Sequence, residues 1–109
     1  MAVDKSLVSG STMMLILKLL EEKDMYGYEM IDTLKNRSEN VFELKAGTLY
    51  PLLHTLESKS LLTSYEQEVL GKTRIYYKIT KDGQKHLEKK KEEWREYTKA
   101  VSNVIALEV

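Results

Sequence analysis

One stretch, Leu44 to Leu62, LKAGTLYPLLHTLESKSLL, limits what this chain can fold into. Leu49, Leu52, Leu53 and Leu56 recur at i, i+3, i+4 and i+7, which puts them on one stripe of a helix predicted from about Ala46 to Ser58. The opposite face carries Thr48, Tyr50, Pro51, His54 and Thr55, small or flat groups with hydrogen-bonding ends rather than a carpet of Lys and Glu. A short helix with an apolar back and such a front suits the major groove of a duplex. An ordinary surface helix with a polar wet side shows the same pattern, so the neighbouring segments must decide.

Upstream, residues 5 to 22 read as a first helix. Met13, Ile16, Leu17 and Leu20 form one stripe, and Leu7, Gly10 and Met14 fall on another. Apolar residues on two sides mean burial on two sides, one of them against something outside this domain. Tyr26 to Arg37, YGYEMIDTLKNR, reads as a second helix with Tyr28, Met30, Ile31 and Leu34 inward; Gly27 near its start marks a cap or a close backbone approach. Ser38 to Lys45 reads as a connector with a short extended piece. Pro51 falls near the start of the third helix, where a missing N–H is cheapest.

Downstream, Leu62 to Glu68 and Thr73 to Thr80 read as strands. The second, TRIYYKIT, is rich in β-branched and aromatic residues, with Ile75, Tyr77 and Ile79 on one face. Val69-Leu70-Gly71-Lys72 forms the turn, with Lys72 and Arg74 at a basic tip and Glu66 and Glu68 on the first strand. Thr80 is a good N-cap for a last helix running from Lys81 towards Leu107. Its Lys89–Glu93 block reads as a solvated face with i,i+4 pairs. Leu87, Trp94 and Val101 are spaced by seven, with Tyr97 and Val104 three residues after the last two and Ile105 beside them. This heptad-like seam is too short for a free coiled coil and predicts pairing with a second copy of the chain.

The expected fold is mainly α with a small β-hairpin: a winged helix-turn-helix over residues 1–80 and a long C-terminal dimerisation helix over 81–109. In that arrangement the third helix enters the major groove, and the wing follows a phosphate ridge or reaches the minor groove.

Composition narrows the function. At 109 residues, 42% hydrophobic and 31% charged, the chain is one small domain with or without an extension. Seventeen basic residues cancel seventeen acidic ones, which argues against a general nucleic-acid binder but not against a specific one with its positive charge on one face. There is no cysteine, hence no disulfide and no thiolate metal site. No signal peptide or membrane span is read, and a cytoplasmic location is expected. No nucleophile elbow, phosphate-cradling loop or usable His/Asp/Ser set supports catalysis, and no cofactor or metal is expected.

Four segments together carry a resemblance: MYGYEM at 25–30, GTLYPLLHTLE at 47–57, RIYYKIT at 74–80 and the Gly83 that follows. The chain resembles the PadR-like transcriptional regulators over about residues 10 to 107. The resemblance implies a homodimeric cytoplasmic DNA-binding regulator, usually a repressor, whose C-terminal helix makes the dimer. The short segment after the wing is similar to the subfamily with a single long C-terminal helix. Some members of that subfamily resemble multidrug sensors, with an aromatic residue of the last helix lining a pocket between protomers. Carried over, the GTLY block makes Gly47, Thr48 and Tyr50 candidates for DNA contact, and the RxYY block adds Arg74. Where the family often has a second basic residue after that arginine, Ile75 stands here and shifts wing charge to Lys72. Where it often has Ser or Pro before the reading helix, Lys45 and Ala46 stand here, a weaker cap.

The candidate DNA contacts are therefore Tyr26, Lys45, Gly47, Thr48, Tyr50, His54, Lys72, Thr73 and Arg74. Two of these have a plainer alternative: Tyr26, like Tyr28, could pack the second helix, and His54 could simply be solvated. Leu87, Trp94, Tyr97, Val101, Val104 and Ile105 are the candidate dimer seam. Trp94, Leu7, Met14 and Thr98 are candidate liners of a site for a small hydrophobic or aromatic effector, although Trp94 could serve packing alone. The competing functional classes are a winged-helix protein–protein module and a ligand-binding dimer without specific DNA affinity.

Overall fold

Three helix stripes and one face of a sheet converge to make the core. The computed structural model describes residues 10–106. The elements are α1 (Thr12–Glu22), β1 (Met25–Tyr26), α2 (Gly27–Arg37), α3 (Ala46–Ser58), β2 (Leu62–Val69), β3 (Lys72–Ile79) and α4 (Lys81–Ile105). The sheet is antiparallel in the order β1-β3-β2. Ile16, Leu17 and Leu20 of α1, Met30 and Leu34 of α2, and Leu49, Leu53 and Leu56 of α3 are buried together with Leu62, Tyr77 and Ile79 of the sheet. This is the winged-helix architecture, with α2 and α3 as the helix-turn-helix pair and β2–β3 as the wing. Among the described residues no helix is long and apolar enough to cross a membrane.

Several local expectations need correction. Among the described residues α1 opens at Thr12, because Gly10 and Ser11 form a turn ahead of it. The expected start at residue 5 lies outside the described residues. Tyr26 is a strand residue, not a helical one. Met25 and Tyr26 pair with Tyr77 and Tyr76 of β3, and a two-residue strand is too short to show alternation in a sequence. With α2 opening at Gly27, the inward stripe is Gly27, Met30 and Leu34. One residue, or ~100°, round the helix from Gly27, Tyr28 points outward and is 61% exposed. The 38–45 connector opens on a left-handed turn, with φ of 52° at Glu39 and 70° at Asn40, and reaches an extended Lys45 without forming a strand. Ser38 Oγ donates to the Leu34 carbonyl (2.7 Å) and accepts from the Phe42 N–H (2.9 Å), which closes the turn. Phe42 and Leu44 then pack against the core, and Leu52 joins them as a half-buried side chain rather than a core one.

The wing turn has φ of 52° at Leu70 and 79° at Gly71, both positive as a two-residue type I′ hairpin requires. Ile75 shares a sheet face with Tyr77 and Ile79 but lies beyond the core, and is exposed. The start of α4 is pinned twice. Thr80 Oγ1 accepts from the Gly83 N–H (2.9 Å) and donates to the Ser60 carbonyl (2.8 Å). Gly83 packs so closely on the α3–β2 turn that an added Cβ would collide with the Leu61 carbonyl.

Leu87, expected on the seam, is fully buried within the single chain and belongs to its core. Beyond it no residue of the 25-residue α4 is fully buried. The charged block of α4 pairs at i,i+3 rather than i,i+4: Lys91 with Glu88 (3.2 Å), Lys90 with Glu93 (3.0 Å) and Arg95 with Glu92. Lys91 also lies 3.7 Å from Glu21, tying α4 to α1.

Candidate nucleic-acid interface

The outer face of α3 is held from behind by Leu49, Leu53 and Leu56. Its N-cap, Lys45, is extended and gives no side-chain cap; its carbonyl accepts from the Thr48 and Leu49 N–H groups, so those of Ala46 and Gly47 keep no intrahelical acceptor. Together with the positive end of the helix dipole, they favour an anion there. Pro51 is inside the helix rather than in its first turn, and without an N–H it leaves the Gly47 carbonyl without its i+4 donor. A Cβ added at Gly47 would meet nothing within 4 Å. Packing inside the chain therefore does not require glycine at Gly47. Its effect is to leave the first turn of α3 open to close approach from outside. Thr48 and His54 are exposed along the same face.

Tyr50 turns from α3 towards α2. A Cβ on Gly27 would lie 2.8 Å from Tyr50 Cζ and closer still to its hydroxyl, so only glycine lets the ring cross the start of α2. Beside it opens a cleft of about 330 Å³ lined by Tyr26, Tyr28, Tyr50, Lys72, Thr73 and Arg74, with Gly27 and Ile75 completing the wall. The cleft joins the helix-turn-helix to the wing.

Charge is distributed unevenly. The described ion pairs lie on α1 and its C-cap Lys23, α2, the connector after α2 and α4, for example Lys23–Glu29 (2.6 Å) and Arg37 with Glu22. Lys45, Lys72, Arg74 and Lys78 have no carboxylate partner among the described residues. The wing register sorts its charges by face. Lys72, Arg74 and Tyr76 lie opposite Val69, Gln67 and Tyr65, whereas Glu66 and Glu68 lie opposite Ile75 and Thr73. Cross-strand partners share a face and neighbours along a strand alternate, so the wing is basic on one face and acidic on the other. A net charge of zero thus conceals a cationic edge.

The transcriptional regulator PadR-like family matches residues 16–89, which include α1 from Ile16 on, α2, α3, the whole sheet and the start of α4. The chain belongs to this family. A Lysinibacillus sphaericus protein is 38% identical over 95 residues, spanning 86% of this chain and 87% of its own. A transcriptional regulator from Clostridium thermocellum superposes with a TM-score of 0.87 at 31% identity, covering 94% of this chain and 97% of its own. A PadR family transcription regulator from Clostridium difficile R20291 is 41% identical with a TM-score of 0.73, covering 88% of this chain and 98% of its own.

In this PadR-family regulator the expected DNA residues fall in two groups. Tyr26, Tyr50, Lys72, Thr73 and Arg74 meet in the cleft, while Lys45, Gly47, Thr48 and His54 lie along α3 outside it. Tyr28, Gly27 and Ile75 were not expected there. The signal for Tyr28 lay in the phase of the Gly27, Met30, Leu34 stripe.

On α4, Trp94, Tyr97, Val101, Val104 and Ile105 are exposed, with Trp94 and Tyr97 ring centroids 6.2 Å apart. Of the residues expected around an effector, Trp94 is 42% exposed and Met14 is half-buried against the core. Thr98 donates its hydroxyl to the Trp94 carbonyl (2.8 Å) within its own helix, and Leu7 lies outside the described residues.

Proposed function

We propose that this PadR-family regulator is a sequence-specific, cytoplasmic DNA-binding repressor that grips a pseudo-palindromic operator as a homodimer. The observation that carries this reading is the cleft in which Lys72 and Arg74, on the basic face of the wing, stand beside Tyr50 of α3. Lys45, Gly47, Thr48, Tyr50 and His54 address the major groove, and Lys72 and Arg74 address the adjoining backbone, while Thr73 shares the opposite face with Glu68. Because Glu66 and Glu68 repel phosphate, only the basic face of the wing can lie on the duplex.

Dimerisation is supported by α4, whose Trp94, Tyr97, Val101, Val104 and Ile105 project apolar surface that the other described residues leave exposed. Residues 1–80 act as the DNA-binding unit and 81–109 as the dimerisation helix. The first turns of that helix are shared with the DNA-binding core through Gly83 and Leu87. A dimer would place two α3 helices about one helical turn apart, ~34 Å. A small hydrophobic or aromatic effector bound beside Trp94 at the interface would release DNA by its differential affinity for the two dimer geometries.

Titration of the full chain with duplex from around its own gene, at several salt concentrations, tests the reading. The expected result is a negative log-salt slope and clear preference over random duplex. Absence of a slope would leave a protein–protein module or a ligand-binding dimer in its place.

A further inference from the structure

Arg74 is held differently from the other two arginines. Arg37 is held by Glu22 and Arg95 by Glu92, each through a carboxylate. Arg74 has no carboxylate partner among the described residues; instead its guanidinium carbon sits 4.2 Å from the centroid of the Tyr26 ring. That ring is itself anchored. Tyr26 pairs in register with Tyr76, and their rings meet edge-on with centroids 5.5 Å apart at 72°. Tyr76 stacks on Tyr65 across the β2–β3 ladder, at 5.8 Å and 15°. Tyr65 donates its hydroxyl to Asp24 (2.6 Å), one residue before β1, so the row spans all three strands and closes on its own beginning.

A ring face and a carboxylate hold a guanidinium with opposite consequences. A carboxylate uses up N–H donors and cancels the charge. A ring beneath the guanidinium plane fixes its position while its five in-plane N–H donors and full charge stay available. On a two-stranded wing with an exposed tip, such a support determines where the charge stands.

We propose that Tyr26 is a positioning residue that presents Arg74 to the duplex, with Tyr76, Tyr65 and Asp24 holding the Tyr26 ring in place. This rests on the DNA-binding reading above. Tyr26 reaches DNA through Arg74 and not through its own hydroxyl.

The test uses the full chain and an operator duplex selected with wild-type protein, and compares Tyr26→Phe, Tyr26→Leu, Arg74→Ala and the double variant Tyr26→Leu/Arg74→Ala. Tyr26→Phe keeps the ring and should bind as wild type does. Tyr26→Leu should lose about three- to tenfold in affinity, and the double variant should bind no worse than Arg74→Ala alone. In the free protein, ring current from Tyr26 should displace the Arg74 side-chain resonances, and Tyr26→Leu should abolish the displacement. Additive losses, or a Tyr26→Phe loss equal to that of Tyr26→Leu, would overturn the positioning role while leaving DNA binding intact. Undisplaced Arg74 resonances would overturn it without reference to DNA. Wild-type protein that selects no duplex would remove the DNA-binding reading and the positioning role with it.

Discussion

Tyr50 occupies the space that a side chain on Gly27 would need, with its Cζ 2.8 Å from where a Cβ would stand. The contact couples the two helices of the helix-turn-helix at the edge of the cleft. Gly27→Ala would normally gain from helix propensity, by up to about 1 kcal/mol. Here the collision is with a ring already packed between helices, and overpacking costs about 1–3 kcal/mol. The expected outcome is a lower melting temperature together with weaker duplex binding, measured by thermal denaturation and fluorescence anisotropy. Tyr50→Phe should partly relieve the Gly27→Ala defect, because the hydroxyl makes the closest approach. A more stable Gly27→Ala protein would show that the ring moves aside freely.

Tyr50→Ala and Arg74→Ala should each weaken operator binding while leaving self-association unchanged. For Arg74→Ala, loss of one phosphate contact per protomer predicts a log-salt slope shallower by about 0.9 for each contact removed. Lys72→Ala should shift the slope similarly, since Lys72 shares the face of Arg74. Anisotropy titrations at several salt concentrations, with sedimentation to follow the dimer, separate these outcomes. A variant that fails to dimerise would show that its side chain serves packing instead.

Leu87 and Trp94 occupy the same heptad-like column but should behave differently. Leu87 is fully buried in the single chain, so Leu87→Ala should cost about 2–5 kcal/mol in chain stability. Trp94, at 42% exposure, contributes little to that core. Trp94→Ala should leave the winged helix folded and reduce dimer stability, dye binding or both. Denaturant melts read alongside sedimentation decide the matter. Unchanged association and unchanged dye binding in Trp94→Ala would refute its place at the interface.

The elements that showed clearly in the sequence are those whose signal is local and repeated. The leucine stripe of α3 predicts Ala46 to Ser58, as observed, and Thr80 caps α4 as its side chain suggests. The wing was legible from TRIYYKIT and from Gly71. What stayed hidden depends on tertiary pairing. Two residues, Met25 and Tyr26, cannot display a strand period, so the third strand and the aromatic row that it begins were invisible. Without that strand the start of α2 shifts by one residue, which turned Tyr28 inward on paper and outward in fact. Leu87 matched the seven-residue spacing, but spacing alone does not say whether a stripe is covered by its own domain or by a partner.

The Asp24–Tyr65 hydrogen bond gives the row a pH signature. Tyr65 donates to a carboxylate, which stabilises its neutral form and raises its pKa from 10.0 to about 12. A folded pKa above the unfolded value means that the hydrogen bond contributes stability below about pH 10. That contribution declines as the pH rises from there through the folded value near 12. Ultraviolet difference titration should therefore show Tyr65 ionising late in the wild-type protein, alongside Tyr77, whose burial also raises its pKa. In Asp24→Ala the Tyr65 contribution should move back towards the ordinary tyrosine value, because the acceptor that favoured its neutral form is gone. The same substitution should loosen Tyr76 and Tyr26 and so weaken duplex binding at neutral pH. Tyr77, whose pKa is raised chiefly by desolvation, should stay late in Asp24→Ala; a titration curve unchanged by the substitution would show that Asp24 does not hold Tyr65.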